Sequence, residues 1–214
     1  MKVSYDMVVF KLDQLKTKKG MVAGIAIGAV LLVVGGIALS ATFDDTQKIV
    51  VSDDFKVARY NAGIKSRQVA ELSEVAREKI RQANEAEQMD DNSRAESLLN
   101  EAQFANNEAA RNAAELSRHL QVLVGFVNGM PVGKSQRYAY AAMTAEISLV
   151  SEYIVYTKNV TELIESVAAG IETGKHDKKT IDVVLQRANE NVKRINELNE
   201  DFQTKIGKFD ISTQ

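Results

Sequence analysis

The sequence contains no cysteine, no tryptophan, a single proline and only two histidines in 214 residues. Without cysteine the chain has no disulfide, no thiolate metal site and no cysteine nucleophile, so any domain that it forms is stabilised by packing alone. The single proline, Pro131, leaves long stretches in which no proline interrupts a helix. Good helix formers such as Ala, Glu, Gln, Arg, Leu and Lys dominate beyond Asp44, which predicts an all-α body.

The shortage of histidine and of concentrated positive charge excludes several classes of function. A di-iron bundle needs two Glu-x-x-His pairs, and neither His119 nor His176 follows a glutamate by three residues. Glu115 and His119 lie one turn apart, which is more typical of a helical side-chain pair than of a metal site, and His176 is expected to be exposed in a turn. Residues 44–214 carry 22 basic and 27 acidic side chains, a balance that argues against nucleic acid as a partner. No catalytic triad, phosphate loop or nucleotide fingerprint is legible, so we expect neither an enzyme nor a bound cofactor or metal.

One long run without charge lies near the start of the chain. Residues 21–43 form a stretch of 23 uncharged residues between a lysine pair and an aspartate pair. At about 1.5 Å per residue the run makes a helix of roughly 35 Å, enough to cross a hydrocarbon core of about 30 Å. The run exceeds the roughly 7–15 apolar residues of an export signal, which favours an uncleaved anchor over cleavage after Ser40. Processing after Gly20 is a further alternative, because "KKGMVAG" resembles the class III signal sequences of archaeal pilins.

Charge near this run predicts its orientation in a cell membrane. Residues 1–20 carry five lysines and two aspartates, and an excess of lysine before an apolar span predicts a cytoplasmic amino terminus. Hydrophobic residues at helical spacing in the same leader predict a short amphipathic helix on the lipid surface, with an ordinary basic flank as the alternative. The predicted order is therefore a leader (1–20), a single transmembrane helix (21–43), a connector (44–53) and an extracytoplasmic bundle (54–214).

Glycines recur at four-residue steps along the predicted anchor. Gly20, Gly24 and Gly28 fall on one face of a helix, and Gly35 continues that face. In lipid, close backbone approach over small residues is a principal source of helix association. The glycine face therefore predicts a partner helix, from a second copy or from another membrane protein subunit. The alternative is that glycine is simply common in membrane helices.

Four long segments with apolar residues at three- and four-residue steps follow the connector. We place them at about residues 54–89, 92–127, 135–173 and 177–209. Ser52 or Asp53 is available to cap the first, Gly129 is expected as a left-handed C-cap of the second, and Ser135 as the N-cap of the third, which ends at Gly174. Only short turns separate these four segments, and short turns force neighbouring helices to run antiparallel. We therefore predict an up-down-up-down four-helix bundle about 50 Å long.

The topology also predicts which end of the bundle meets the membrane. The second turn and the chain's C-terminal residues should lie at the end where the first helix begins. The candidates there for contact with headgroups or a membrane partner are Met130, Val132, Tyr138, Tyr140 and Phe209. The alternative is an ordinary bundle end packed on itself. Tyr153 and Tyr156, farther along the third helix, are expected in the core, with a small-molecule pocket as the alternative.

These patterns favour a non-catalytic, membrane-anchored helical bundle that acts through helix–helix contacts, as an accessory or structural subunit of a membrane protein assembly. The first alternative is a ligand-binding, sensor-like bundle. One membrane helix followed by an external four-helix bundle resembles, in architecture, the sensing half of bacterial and archaeal chemoreceptors, which return through a second span that this sequence lacks. A metal-binding helical-bundle enzyme and a pilin-like filament subunit are further alternatives.

Overall fold

A computed structural model of the protein describes residues 52–212. This part of the chain folds as four α-helices with no strand: α1 Asp53–Gln88, α2 Asn92–Asn128, α3 Lys134–Thr173 and α4 Lys178–Ser212. None of these four helices is long and apolar enough to cross a membrane. The predicted leader and transmembrane helix lie outside the described residues, and so do Gly20, Gly24, Gly28 and Gly35.

The four predicted helices are confirmed, and three of their ends follow signals in the sequence. Ser52 caps α1, because its Oγ accepts a hydrogen bond from the backbone N–H of Phe55 at 3.2 Å. α3 ends at Gly174, whose φ of 66° lies in the left-handed region that glycine adopts without steric cost. Asp177 caps the start of α4, its Oδ1 accepting from the backbone N–H of Thr180 at 3.2 Å.

The end of α2 differs from the prediction. Gly129 follows the helix as expected, but its φ of −81° is right-handed, so the predicted left-handed cap is wrong. The Gly129 N–H donates to the carbonyl of Phe126 at 3.1 Å, and the next residue donates to that of Val127 at 3.2 Å. These bonds satisfy two of the last carbonyls of α2 without any left-handed residue.

The start of α3 also differs from the prediction. The helix begins at Lys134, with Gly133 at its N-cap and no side-chain cap, so the predicted cap Ser135 lies inside the helix. The hydroxyl of Ser135 instead donates to the backbone carbonyl of Ser212 at 3.0 Å. Ser135 therefore links the first turn of α3 to the last turn of α4.

Consecutive helices run antiparallel. Lys65 pairs with Glu115 and Lys79 with Glu101, each at 2.5 Å. Residue numbers along α2 therefore decrease in the direction in which those along α1 increase. Polar contacts between α3 and α4 show the same antiparallel order of residues. The four helices therefore alternate in direction along the chain.

The bundle is built from two tightly packed hairpins. α1 packs chiefly on α2, and α3 on α4, with a smaller contact between α2 and α3. Ten alanines are buried in α1 and α2, five in each, and small side chains allow these two backbones to approach closely. By contrast, among the described residues no Cα atom of α1 lies within 8 Å of a Cα atom of α4. The α1–α4 seam, the side of the bundle between these two helices, is therefore its most loosely packed side.

Candidate functional site

One end of the bundle brings together the start of α1, the α2–α3 turn and the end of α4, as the topology predicts. Three phenylalanine rings pack there: Phe55 lies 6.1 Å from Phe126, edge-on, and 5.9 Å from Phe209. Such ring pairs contribute about 0.5–1.5 kcal/mol beyond the area that they bury. Phe55 thereby joins α1 to both α2 and α4 at the point where the chain enters the bundle.

The five residues predicted to contact the membrane have different environments at this end. Val132 is 96% exposed in the α2–α3 turn, and Tyr140 lies on the surface of α3. Met130 and Tyr138 are half-buried and pack against the core. Phe209 is 1% exposed, so its ring is part of the core and offers no surface. Contact of the exposed residues with lipid or a membrane partner stays a prediction.

An ion pair spans the loose α1–α4 seam at the same end. Arg59 of α1 donates two hydrogen bonds to the carboxylate of Asp210 in α4, at 2.5 and 2.8 Å. This fork geometry is the stronger form of an arginine–carboxylate pair. Because the two backbones do not approach each other, side-chain contacts of this kind hold the seam closed.

Glu146 of α3 is a buried carboxyl close to this ion pair. Burial raises the pKa of Glu146 to about 7, and the positive charge of Arg59 partly offsets that effect. Sequence reasoning missed this residue. Its position, four residues after Ala142 and three before Leu149, places it on the apolar face of α3, and that spacing was the available signal.

The opposite end of the bundle contains a histidine that the sequence predicted to be exposed. The side chain of His176 is instead 14% exposed, and its Nε2 hydrogen-bonds to a carboxylate oxygen of Glu87 in α1. Its ring lies against Gly170 of α3, where an added Cβ would overlap the imidazole and come 2.7 Å from Cγ. The prediction of exposure is wrong because the α3–α4 turn folds over the end of α1, and Gly170 leaves room for the ring.

Glu115, one turn before His119, makes an ion pair with a lysine of α1. The carboxylate of Glu115 pairs with Lys65 of α1, and this hydrogen bond and positive charge lower its pKa. Nowhere between residues 52 and 212 do three or more His, Asp or Glu side chains form a group that could hold a metal ion.

Tyr153 and Tyr156 of α3 are core residues. Burial raises the pKa of both, that of Tyr156 to about 12, and the hydroxyl of Tyr153 has no hydrogen-bond partner among the described atoms. A concavity of about 430 Å³ does open between α3 and α4, but neither tyrosine lines it. Its walls carry two arginines, Arg187 and Arg194, and two glutamates, Glu152 and Glu190, so their formal charges balance.

The outward face of α1 carries a line of exposed apolar side chains. Val57, Tyr60, Ile64 and Val75 are each between 38% and 67% exposed, and steps of three, four and eleven residues keep them on one face. We call these four residues the α1 stripe. Sequence reasoning missed it, because the apolar periodicity of this helix was assigned only to the opposite face, which forms the core. Scattered apolar residues on a surface are ordinary, whereas an aligned set is typical of a contact surface.

The neighbouring face of α2 extends this apolar surface. Phe104 and Val122 are both more than half exposed, and 18 residues, or five turns, separate them along one face. Glu115, seven residues before Val122, bonds to Lys65, so this face of α2 borders α1. In the antiparallel register Val122 lies level with Val57, and Phe104 lies level with Val75. Together with the α1 stripe, these residues form the candidate interaction surface.

Comparison with known proteins gives no match: no family model, no curated protein and no solved structure matches this chain. The function is therefore inferred from the residues of the chain itself.

Proposed function

We propose that the protein is a non-catalytic membrane subunit that acts through helix–helix contacts with other membrane protein subunits or with a second copy of itself. Residues 21–43 would anchor it, with the amino terminus in the cytoplasm and the four-helix bundle outside. The observation that carries this proposal is the run of 23 uncharged residues, which matches the thickness of a bilayer and follows a lysine-rich flank.

The described bundle supports an interaction role. Nine residues separate Phe43 from Asp53, where α1 begins, so the phenylalanine end of the bundle would lie close to the anchor. The α1 stripe begins within the first two turns of α1. The glycine face of the anchor would provide a contact surface inside the membrane. The exposed apolar residues of α1 would provide a second one outside it.

The anchor is tested by washing membranes that contain the full chain with alkaline carbonate. We expect the protein to stay in the membrane pellet, because removing 23 uncharged residues from lipid is costly. The matched control replaces Ile27 and Leu31 with arginine, which costs roughly 2.5–3.5 kcal/mol per residue at the centre of a span and should release the chain. Recovery of the unaltered protein in the aqueous fraction, with residues 1–43 intact, would overturn the anchor.

The glycine groove is tested by replacing Gly24 and Gly28 with isoleucine. The larger side chains prevent close backbone approach, so co-purification of the partner in mild detergent should fall while the helical circular dichroism of the bundle is retained. The matched control places isoleucine at Ala26 and Val33, on the opposite face of the same helix. Equal recovery of the partner from both double variants would contradict a role for the glycine face.

A further inference from the structure

Nearly all charged side chains of α1 are paired. Its six paired cations are Lys56, Arg59, Lys65, Arg77, Lys79 and Arg81. Beyond the first turn of the helix, Arg67 and Glu71 are the exceptions: both are exposed, and neither makes a hydrogen bond or ion pair with any described residue. These two unpaired charges are of opposite sign and lie one turn apart.

Arg67 and Glu71 lie on the α1 stripe itself. Arg67 follows Ile64 by three residues, and Glu71 precedes Val75 by four. The stripe therefore reads as three apolar residues, a positive charge, a negative charge and a fourth apolar residue. A purely apolar partner would bury both charges without compensation, which is costly. A fitting partner supplies apolar groups at both ends and one charge of each sign between them.

We propose that this partner is a second copy of the same chain, with the two α1 stripes packed side by side and parallel. Around a two-fold axis parallel to the helices, each apolar residue of the stripe meets its own counterpart. The two Arg67 side chains then face each other, as do the two Glu71 side chains, and each Arg67 also lies one turn from Glu71 of the other copy. Two ion pairs formed by symmetry offset these like-charge contacts.

The opposite orientation fits poorly. If the helices ran antiparallel with Arg67 facing Glu71, Val57 would face Arg81, Tyr60 would face Glu78, and Ile64 would face Glu74. Every apolar residue of the N-terminal half of the stripe would then meet a charge. The parallel arrangement rests on the proposed function in one respect: two chains anchored from the same side of a membrane point their α1 helices in the same direction.

Cysteine cross-linking tests this geometry, because the natural chain contains no cysteine. Full-length Tyr60→Cys and Ile64→Cys proteins, oxidised in the membrane, should each form a disulfide-linked dimer, since a disulfide needs Cα atoms about 4.4–6.8 Å apart. The matched control is Val183→Cys on α4, which is similarly exposed and should remain monomeric. Absence of the dimers at both stripe positions, or equal cross-linking at Val183, would overturn the proposal.

A charge exchange distinguishes a second copy from a foreign partner. Arg67→Glu alone and Glu71→Arg alone each turn attraction into repulsion and should weaken dimerisation by about tenfold, measured by energy transfer between labelled full-length chains in detergent. The double variant restores both ion pairs and should regain the original affinity. Failure of the double variant to recover, with its helical content intact, would contradict pairing with a second copy.

The experiments distinguish a failure of the proposed membrane anchor from a failure of the proposed α1 pairing. Release by carbonate together with cross-linking at Tyr60→Cys would overturn the anchor and leave the pairing standing. Retention in the membrane without cross-linking would overturn the pairing alone.

Discussion

At the scale of single residues, Glu146 shows how burial changes the behaviour of a group that the sequence alone presents as an ordinary charge. The carboxyl is enclosed on the apolar side of α3, and its pKa is raised to about 7 because the charged form loses its hydration. Its neutral form is therefore favoured in the folded protein well above the pH at which the same carboxyl ionises in the unfolded chain.

This raised pKa predicts that stability falls as the pH rises. The contribution of the neutral carboxyl is fully present below about pH 4.5 and is lost as the pH rises through 7. Glu146→Gln should leave the thermal midpoint nearly unchanged at pH 5 and stabilise the protein at pH 8 by about 1–3 kcal/mol. Calorimetry at the two pH values measures the difference.

The control for Glu146→Gln is Glu165→Gln, which makes the same substitution at an exposed position on the same helix. Equal effects of Glu146→Gln at both pH values would contradict ionisation of this carboxyl near neutral pH.

Residue environments could be predicted where a single periodic pattern decides them. Tyr153 and Tyr156 were placed in the core by their spacing along α3, and the structure confirms this. The burial of His176 could not be predicted, because it depends on a turn that meets a different helix about 90 residues earlier in the chain. A local pattern contains no information about such a contact.

At the scale of helices and turns, the sequence predicts most boundaries because each signal is local. Ser52 and Asp177 have side chains that satisfy free backbone donors, and Gly174 adopts a left-handed conformation without strain. Gly129 and Ser135 carry equally good signals but were assigned wrongly. At that turn, hydrogen bonds and the contact of Ser135 with the end of α4 override the local preferences.

The turn between α3 and α4 gives a prediction at this scale. Gly170→Ala should destabilise the protein by about 1–3 kcal/mol, because the new Cβ would overlap the imidazole of His176. In a His176→Ala background the same substitution should be neutral or stabilising by up to about 1 kcal/mol, since alanine is the better helix former. Chemical denaturation of the four proteins in this cycle measures both effects.

The control for this cycle is Gly207→Ala in α4, where an added Cβ meets no atom within 4 Å. An equal loss of stability from Gly170→Ala with and without the histidine would contradict the proposed packing of its ring.

At the scale of the whole molecule, the bundle consists of two hairpins whose outer helices, α1 and α4, lack close backbone contact. The Arg59–Asp210 pair should therefore contribute more to holding α1 and α4 together than its partial exposure suggests. Asp210→Asn should lower stability by about 1 kcal/mol and increase amide hydrogen exchange in the last turns of α4 by about fivefold. Exchange measured by mass spectrometry resolves these turns from the rest of the helix.

The matched control for this change is Asp201→Asn, which removes an exposed pair with Lys205 within α4. Such a pair contributes roughly 0.3–0.5 kcal/mol, so exchange should change little. Equal exchange in the two variants would show that the ion pair between α1 and α4 does not hold the seam closed.

The general architecture could be predicted from the sequence, whereas the candidate interaction surface could not. Apolar periodicity and short turns determine four alternating helices. The α1 stripe is a second apolar face on a helix whose first face already accounts for the core. Which of its charges lack partners depends on side chains of α2 and α4, and only the folded arrangement shows this.

The phenylalanine cluster determines how the bundle would carry mechanical load. A pull on the chain from its N-terminal side enters α1 beside Phe55, whose ring touches Phe126 and Phe209. Tension at that point is shared among three helices at once, so α1 cannot peel away from α2 one turn at a time. The bundle should therefore yield to force in a single cooperative step, and the first contacts to break should be those of Phe55.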